Sequence, residues 1–147
     1  LYIRGKMTGR DDTMSRLILH ITEMISVPKV PIKGIARRAQ RIPPNASLQE
    51  AARILVHNGV SEALVDDSSP GLINLADIAR AVADGRNGQE AREIMNRGFL
   101  TIDSEEPIYE AIKMLGRTGA NQLVVSEQGA LWGIVSASDL IRTLTPD

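Results

Sequence analysis

Two stretches of the chain carry the same apolar rhythm. Leu48, Ala51, Ala52 and Leu55 recur at i, i+3, i+4 and i+7, the stripe that one face of an amphipathic helix requires, and Ile108, Ala111, Ile112 and Leu115 repeat it 60 positions later. Ser47 and Glu50 form a capping-box pattern at the start of the first helix, and Gly59 suits its C′ position. Pro107 suits the first turn of the second. A short extended piece ending at Ile42 or Ile102 precedes each helix. Two apolar runs follow each helix and read as strands, residues 62–66 with 71–74, and 122–126 with 131–136. The turn EQGA at 127–130 joins the second pair as a hairpin. Short helices over 77–84 and 139–144 close the pattern. The predicted order is β-α-β-β-α, twice.

The copies align residue by residue. Ile42, Leu48, Ala51, Leu55 and Gly59 match Ile102, Ile108, Ala111, Leu115 and Gly119 at an offset of 60. Farther on the offset is 62, with Gly71, Ile73, Asp77 and Ile78 matching Gly133, Val135, Asp139 and Leu140, so the first copy has a loop two residues shorter. A period held this long indicates duplicated units. One unit of about 55 residues has little core of its own, and two packed sheet to sheet bury a common face. The expected division is residues 1–33 as a leader, 34–88 as the first repeat and 89–147 as the second. In the leader, Asp12 or Thr13 can cap a helix carrying Met14, Leu17, Ile18, Ile21, Met24 and Ile25, which Val27-Pro28 ends. That stripe suits docking onto the repeats or onto a second protomer.

Charge sets the leader apart. Residues 1–41 hold nine Lys/Arg against three Asp/Glu, a balance of +6, and residues 42–147 hold eight against fifteen, a balance of −7. The cluster Lys29, Lys33, Arg37, Arg38 and Arg41 fits nucleic acid, phosphate-facing arginines beside a cleft, or a solvated linker; no aromatic side chains are interleaved for base stacking. The chain has no cysteine, which excludes disulfides and thiolate zinc sites and fits a reducing, cytoplasmic compartment. No apolar run approaches the roughly 18 residues of a membrane span and no signal peptide is expected. The first residue is Leu, compatible with a trimmed product or a piece of a longer chain whose effector domain is separate. His57 reads as a dipole partner at a helix end and His20 as a core-edge residue, so neither belongs to a metal set. No nucleophilic triad or acid/base carboxylate pair is readable, and an enzyme is the least expected class. Trp132 reads as packing beside the hairpin.

One stretch raises sharper chemistry. Gly133, Ile134, Val135, Ser136 and Asp139 place a hydroxyl and a carboxylate three residues apart where a strand hands over to a helix. Asp139 and Asp77 can be first-turn acids that complement a helix dipole, and Ser136 or Ser138 a plain N-cap. The duplicated β-α-β-β-α pattern and this Gly-apolar-apolar-Ser/Thr-x-x-Asp motif resemble a tandem pair of CBS (cystathionine β-synthase) domains, a Bateman module, over about residues 34–145. The resemblance implies an α/β (α+β) fold of two repeats related by a pseudo-twofold axis, here preceded by the leader helix. It implies a regulatory, homodimeric module that needs no cofactor and binds AMP, ADP, ATP or S-adenosylmethionine between the copies. By resemblance Asp139 accepts the two ribose hydroxyls and Ser136 bonds the phosphate, with Gly133 opening the motif. A helix N-terminus there offers free N–H groups to the anion. The adenine edge meets backbone near Thr101 and Ile102, with Gln122 and Leu123 on the adjoining strand. In the first copy Ile42, Asn74 and Asp77 are the counterparts, with Asn74 where Ser/Thr is expected, either as an Asx-type cap or as a ligand contact. Arg41 stands in the place of Thr101. The expectation is one good site around Asp139 and one doubtful or differently selective site around Asp77. A ligand-free dimerisation scaffold and a nucleic-acid-binding regulator are the rival readings.

Overall fold

The computed structural model describes residues 29–145. The expected leader helix, its Met14, Leu17 and Ile21 stripe and His20 lie outside the described residues. A 3-10 turn at Ile32–Gly34 precedes β1 (Arg37–Arg38). The first copy then runs β2 (Arg41–Ile42), α1 (Leu48–His57), β3 (Glu62–Val65), β4 (Gly71–Asn74) and α2 (Leu75–Ala83). A short helix, α3 (Ala91–Ile94), leads into β5 (Thr101–Asp103), α4 (Ile108–Thr118), β6 (Gln122–Glu127), β7 (Ala130–Ser136) and α5 (Ala137–Arg142). The duplicated α+β order predicted from the pattern is therefore present.

Local chemistry sets the element ends. Ser47 and Glu50 make the expected reciprocal cap on α1, and Gly59 follows its end at φ 64°. Gly119 ends α4 in the left-handed region at φ 73°. Gln128 and Gly129 both have positive φ, 51° and 83°, the geometry of a two-residue turn whose twist matches the hairpin it closes. The second helix of each copy starts two residues earlier than the sequence reading placed it. Asp77 and Asp139 do not open these helices. They sit at the third helical position, where their carboxylates reach back to the N–H of the capping residues Asn74 and Ser136.

The sheets explain the apolar runs. One sheet has the order β2-β3-β4, and the other β1-β7-β6-β5. In β3, Ala63 and Val65 face α1 and α2 while Leu64 faces the other way, and in β6 Leu123 and Val125 alternate with Val124 in the same manner. Leu64, Leu72 and Val124 meet in a shared cluster with Ala39, Phe99, Leu131 and Ile134, so both faces of the central strands are buried and their sequence reads as continuous hydrophobe.

The two copies exchange their leading segments. β1 opens the first copy yet pairs antiparallel with β7 of the second, Arg37 opposite Ile134 and Arg38 opposite Gly133. Ile32 is fully buried in the second copy's core, and its N–H donates to Glu106 O at 2.8 Å. Reciprocally, Ala91 and Met95 open the second copy but pack into the first copy's core. Asn96 bridges to Leu72 on β4, with N–H···O distances of 2.8 Å in both directions.

Gly71 and Gly133, matched at the offset of 62, both lie beneath these crossing segments. A Cβ on Gly133 would stand 2.5 Å from Arg37 O, a rigid backbone atom. A Cβ on Gly71 would meet the Met95 side chain at 2.7 Å and Asn96 O at 3.1 Å. Gly133→Ala is therefore expected to displace β1 and lower stability by about 1–3 kcal/mol. Gly71→Ala, whose closest obstacle is a flexible thioether, costs less. Gly34→Ala, with open space around it, serves as the neutral control; urea unfolding of the three variants checks the order.

Candidate functional site

The handover from β7 to α5 holds Asp139 by its own backbone. Ser136 Oγ accepts from the Asp139 N–H at 3.1 Å, and Asp139 Oδ2 accepts from the Ser136 N–H at 3.2 Å. The other carboxylate oxygen, Oδ1, lies 3.4 Å from Arg142 Nη1 and 3.6 Å from Arg37 Nη2. The carboxylate is 13% exposed, while the side chains of Arg142 and Arg37 are 67% and 70% exposed. Ser136 Oγ also hydrogen-bonds Ser138 Oγ at 3.0 Å.

A cleft of about 510 Å³ opens in front of this group, a size suited to a small-molecule site. The second copy contributes Ile134, Ser136, Ser138, Asp139 and Arg142. Residues 59–62, between α1 and β3 of the first copy, form the facing wall. Residues 37–40, the exchanged strand and the chain leaving it, complete the lining. The cleft exists only where the two copies meet.

Of the residues picked out from the sequence, Asp139 and Ser136 line this cleft. Gly133 lies beside it, beneath the Arg37 backbone, where its lack of a side chain admits the crossing strand. Gln122 pairs with Ser136 across the hairpin and is not part of the lining. Ile42, Ile102 and Leu123 have buried side chains in the two cores, and Thr101 lies on β5, at the opposite edge of the sheet from β1. None of these four lines the cleft. Of the N–H groups expected to be free at the start of α5, the Ala137 N–H donates to Asn121 O at 2.8 Å and the Asp139 N–H to Ser136 Oγ, which leaves the Ser138 N–H beside the cleft.

Asn74 and Asp77 build the same reciprocal cap in the first copy. Asn74 Oδ1 accepts from the Asp77 N–H at 2.8 Å, and Asp77 Oδ2 from the Asn74 N–H at 3.1 Å. The substitution of Asn for Ser therefore preserves the local geometry. The surroundings differ: Arg97, the counterpart of Arg37, turns away to Asp67 at 3.1 Å and Ser69 O at 3.2 Å.

Arg142, Ser61 and Glu62 line the cleft without a sequence signal, and Arg37 and Arg38 entered only through one reading of the basic cluster, as phosphate-facing arginines beside a cleft. Four of these five come from first-copy segments distant in sequence, which a motif read within one copy does not reach. Within the basic cluster, Lys33 pairs with Glu105, Arg41 with Asp66 and Leu131 O, and Arg37 with Asp139, so three of the five cations engage the protein itself. Among the described residues no group of three His, Cys, Asp or Glu is placed to hold a metal ion, and no helix is long and apolar enough to cross a membrane.

Residues 32–84 and 91–145 each match the family model of the CBS domain. The chain belongs to the CBS domain family. It is 28% identical over 149 residues to an uncharacterized protein of Methanocaldococcus jannaschii, covering 99% of this chain and 50% of that protein. It is 34% identical over 148 residues to the L-aspartate semialdehyde sulfurtransferase of the same organism, covering 92% of this chain and 27% of the enzyme. The chain thus spans half or less of the length of these relatives. Among solved structures, the CBS domain pair of protein MJ0100, in complex with 5′-methylthioadenosine and S-adenosyl-L-methionine, superposes with a TM-score of 0.67 at 26% identity, covering 78% of this chain and 95% of that one. Both family matches begin in an exchanged segment: Ile32 and Ala91 each pack in the core of the other CBS repeat.

Glu62 faces Asp139 across the cleft. Burial pushes its carboxyl above the usual carboxylate range, the Asp139 charge pushes the same way, and the hydrogen bond with Gln122 opposes both. A carboxyl raised in the folded state favours folding while protonated, and that contribution is lost as pH rises from its unfolded value through the raised one. Glu62→Gln, which stays neutral, is expected to remove this part of the decline above the ordinary carboxylate range and to be the more stable protein at neutral pH. Urea midpoints measured against pH for both proteins check the difference.

Proposed function

We propose that this CBS pair is a regulatory module that binds an adenosyl ligand in the cleft between its repeats. The observation that carries the reading is the state of Asp139. Its capping role occupies Oδ2 and leaves Oδ1 at the mouth of a cleft of about 510 Å³, contacted by mobile-length arginine side chains and not by backbone. A carboxylate oxygen so held can accept from a vicinal diol without rearranging the helix start. Ile134 and Ala39 give the cleft an apolar surface for a purine, and Val60 stands on the facing wall. The 26%-identical pair that holds 5′-methylthioadenosine and S-adenosyl-L-methionine supports the adenosyl class.

Regulation follows from where the walls come from. A ligand touching both repeats and the exchanged strand binds with different affinity as their arrangement changes, and by that difference alone it shifts the arrangement. The relatives are longer than this chain. The response is therefore read by another domain or another polypeptide, for which the segment leading into β1 is the natural connection. No catalytic role is proposed for the pair itself.

Ligand saturation at about 100 times its Kd should stabilise the protein by about 2.7 kcal/mol, a rise of roughly 5–10 °C in Tm. A thermal-shift screen with AMP, ADP, ATP and S-adenosylmethionine reads this directly. Asp139→Asn keeps an oxygen to accept from the Ser136 N–H but loses the charge. It should weaken binding by about 1.5–3 kcal/mol in calorimetric titrations while Tm without ligand changes little. Absence of any ligand response in the unaltered protein would instead favour the scaffold reading, and an unchanged affinity in Asp139→Asn would remove Asp139 from the site.

A further inference from the structure

We propose that the cleft contains an anion subsite built from arginine side chains, with Arg37 as its specificity-determining residue, so that the ligand is a phosphorylated adenosine in preference to an uncharged or sulfonium-bearing adenosyl compound. This rests on the adenosyl reading above and narrows it.

Backbone offers little for the task beyond the Ser138 N–H. The Ala137 and Asp139 N–H groups at the start of α5 are bonded within the protein, and the Ser136 N–H donates to Asp139. Side chains remain. Arg37, Arg38 and Arg142 all line the cleft, against two carboxylates, Asp139 and Glu62. The two guanidinium contacts to Asp139 are long, 3.4 and 3.6 Å, and both converge on Oδ1 alone. A ribose diol binding at that oxygen displaces the arginines from their partner. They then stand in the cleft as cations facing the 5′ end of the ligand, where a phosphate restores the lost pairing by charge-assisted hydrogen bonds. A sulfonium group in the same place adds a like charge.

The other copy shows what this corner would be without the device. At the offset of 60, Arg97 stands for Arg37 and Gly98 for Arg38. Arg97 is turned to Asp67 and Ser69, so beside Asp77 only Arg80, at 3.3 Å, corresponds to a cleft arginine of the Asp139 side. Phe99 replaces the small Ala39. The anion preference therefore belongs to the Asp139 side. Arg37 is also the residue whose backbone crosses Gly133, so a phosphate held by its side chain is tied directly to the exchanged strand.

The test is calorimetric titration of the full chain with AMP, adenosine, 5′-methylthioadenosine and S-adenosylmethionine at two salt concentrations, for the unaltered protein, Arg37→Ala and Asp139→Asn. AMP should bind about tenfold or more tighter than the three other compounds, with the gap shrinking as salt rises. Arg37→Ala should bring AMP and adenosine to within about threefold of each other. Its side chain is 70% exposed, so folding should be retained, which the circular dichroism spectrum verifies. If S-adenosylmethionine or adenosine binds as tightly as AMP, or if Arg37→Ala leaves the AMP-to-adenosine ratio unchanged, the anion subsite is wrong. In that case weakened binding to Asp139→Asn still upholds the adenosyl reading. If none of the four compounds binds the unaltered protein, both fall.

Discussion

The passage of the Arg37 backbone across Gly133 is the contact on which the rest depends. It puts a strand that opens the first repeat onto the sheet of the second, and the same crossing recurs where Met95 and Asn96 pass over Gly71. Each core is completed by the other copy's leading segment, Ile32 in one direction and Ala91 in the other. The cleft is a by-product of this exchange, because the crossing strand supplies one side of it and the joint between repeats supplies the others. A methyl group at position 133 would collide with a carbonyl that has no freedom to move, so the glycine of the motif answers first to packing.

The same economy appears at Asp139. One carboxylate oxygen completes a helix cap and thereby fixes the orientation of the other. A ligand group meeting a side chain already held in place avoids the cost of ordering it, which is the general advantage of preorganisation. The cap and the proposed binding role thus draw on different oxygens of one carboxylate, and the two readings of the Ser-x-x-Asp spacing are compatible. The cap in the first copy, built from Asn74, is equally well formed, and the difference between the copies lies in what surrounds it.

The repeat and its element types were legible because each element has a period: 3.6 in α1 and α4, and near-continuous apolarity in β3 and β6. The short closing helices were placed two residues late because Asp77 and Asp139 look like first residues when their bond to the preceding cap is not seen. The exchange was not legible. An offset shows that residue 36 corresponds to 96, but says nothing about which sheet either segment joins. That gap also explains the site. Asp139 and Ser136 could be read from a local motif, whereas Arg37, Arg38 and Glu62 reach the cleft only through the packing of one copy on the other. Thr101 and Ile102 were placed at the adenine edge by resemblance alone, and the lining of the cleft is drawn from residues 37–40 and 59–62 of the first copy together with the start of α5. A clue was present in Gly133, since a glycine within an apolar strand signals close approach by another backbone.

A solitary copy with this topology would have an unfilled core position and an unpaired leading strand at once. Its simplest remedy is to donate that strand to an identical molecule and accept one in return, which is domain swapping. Gene duplication with fusion would then turn a second-order association into an intramolecular one, held at the high effective concentration of a tether. Freed from identity, the halves could diverge, and Arg37 and Arg97 now have different partners although they descend from the same place in the unit.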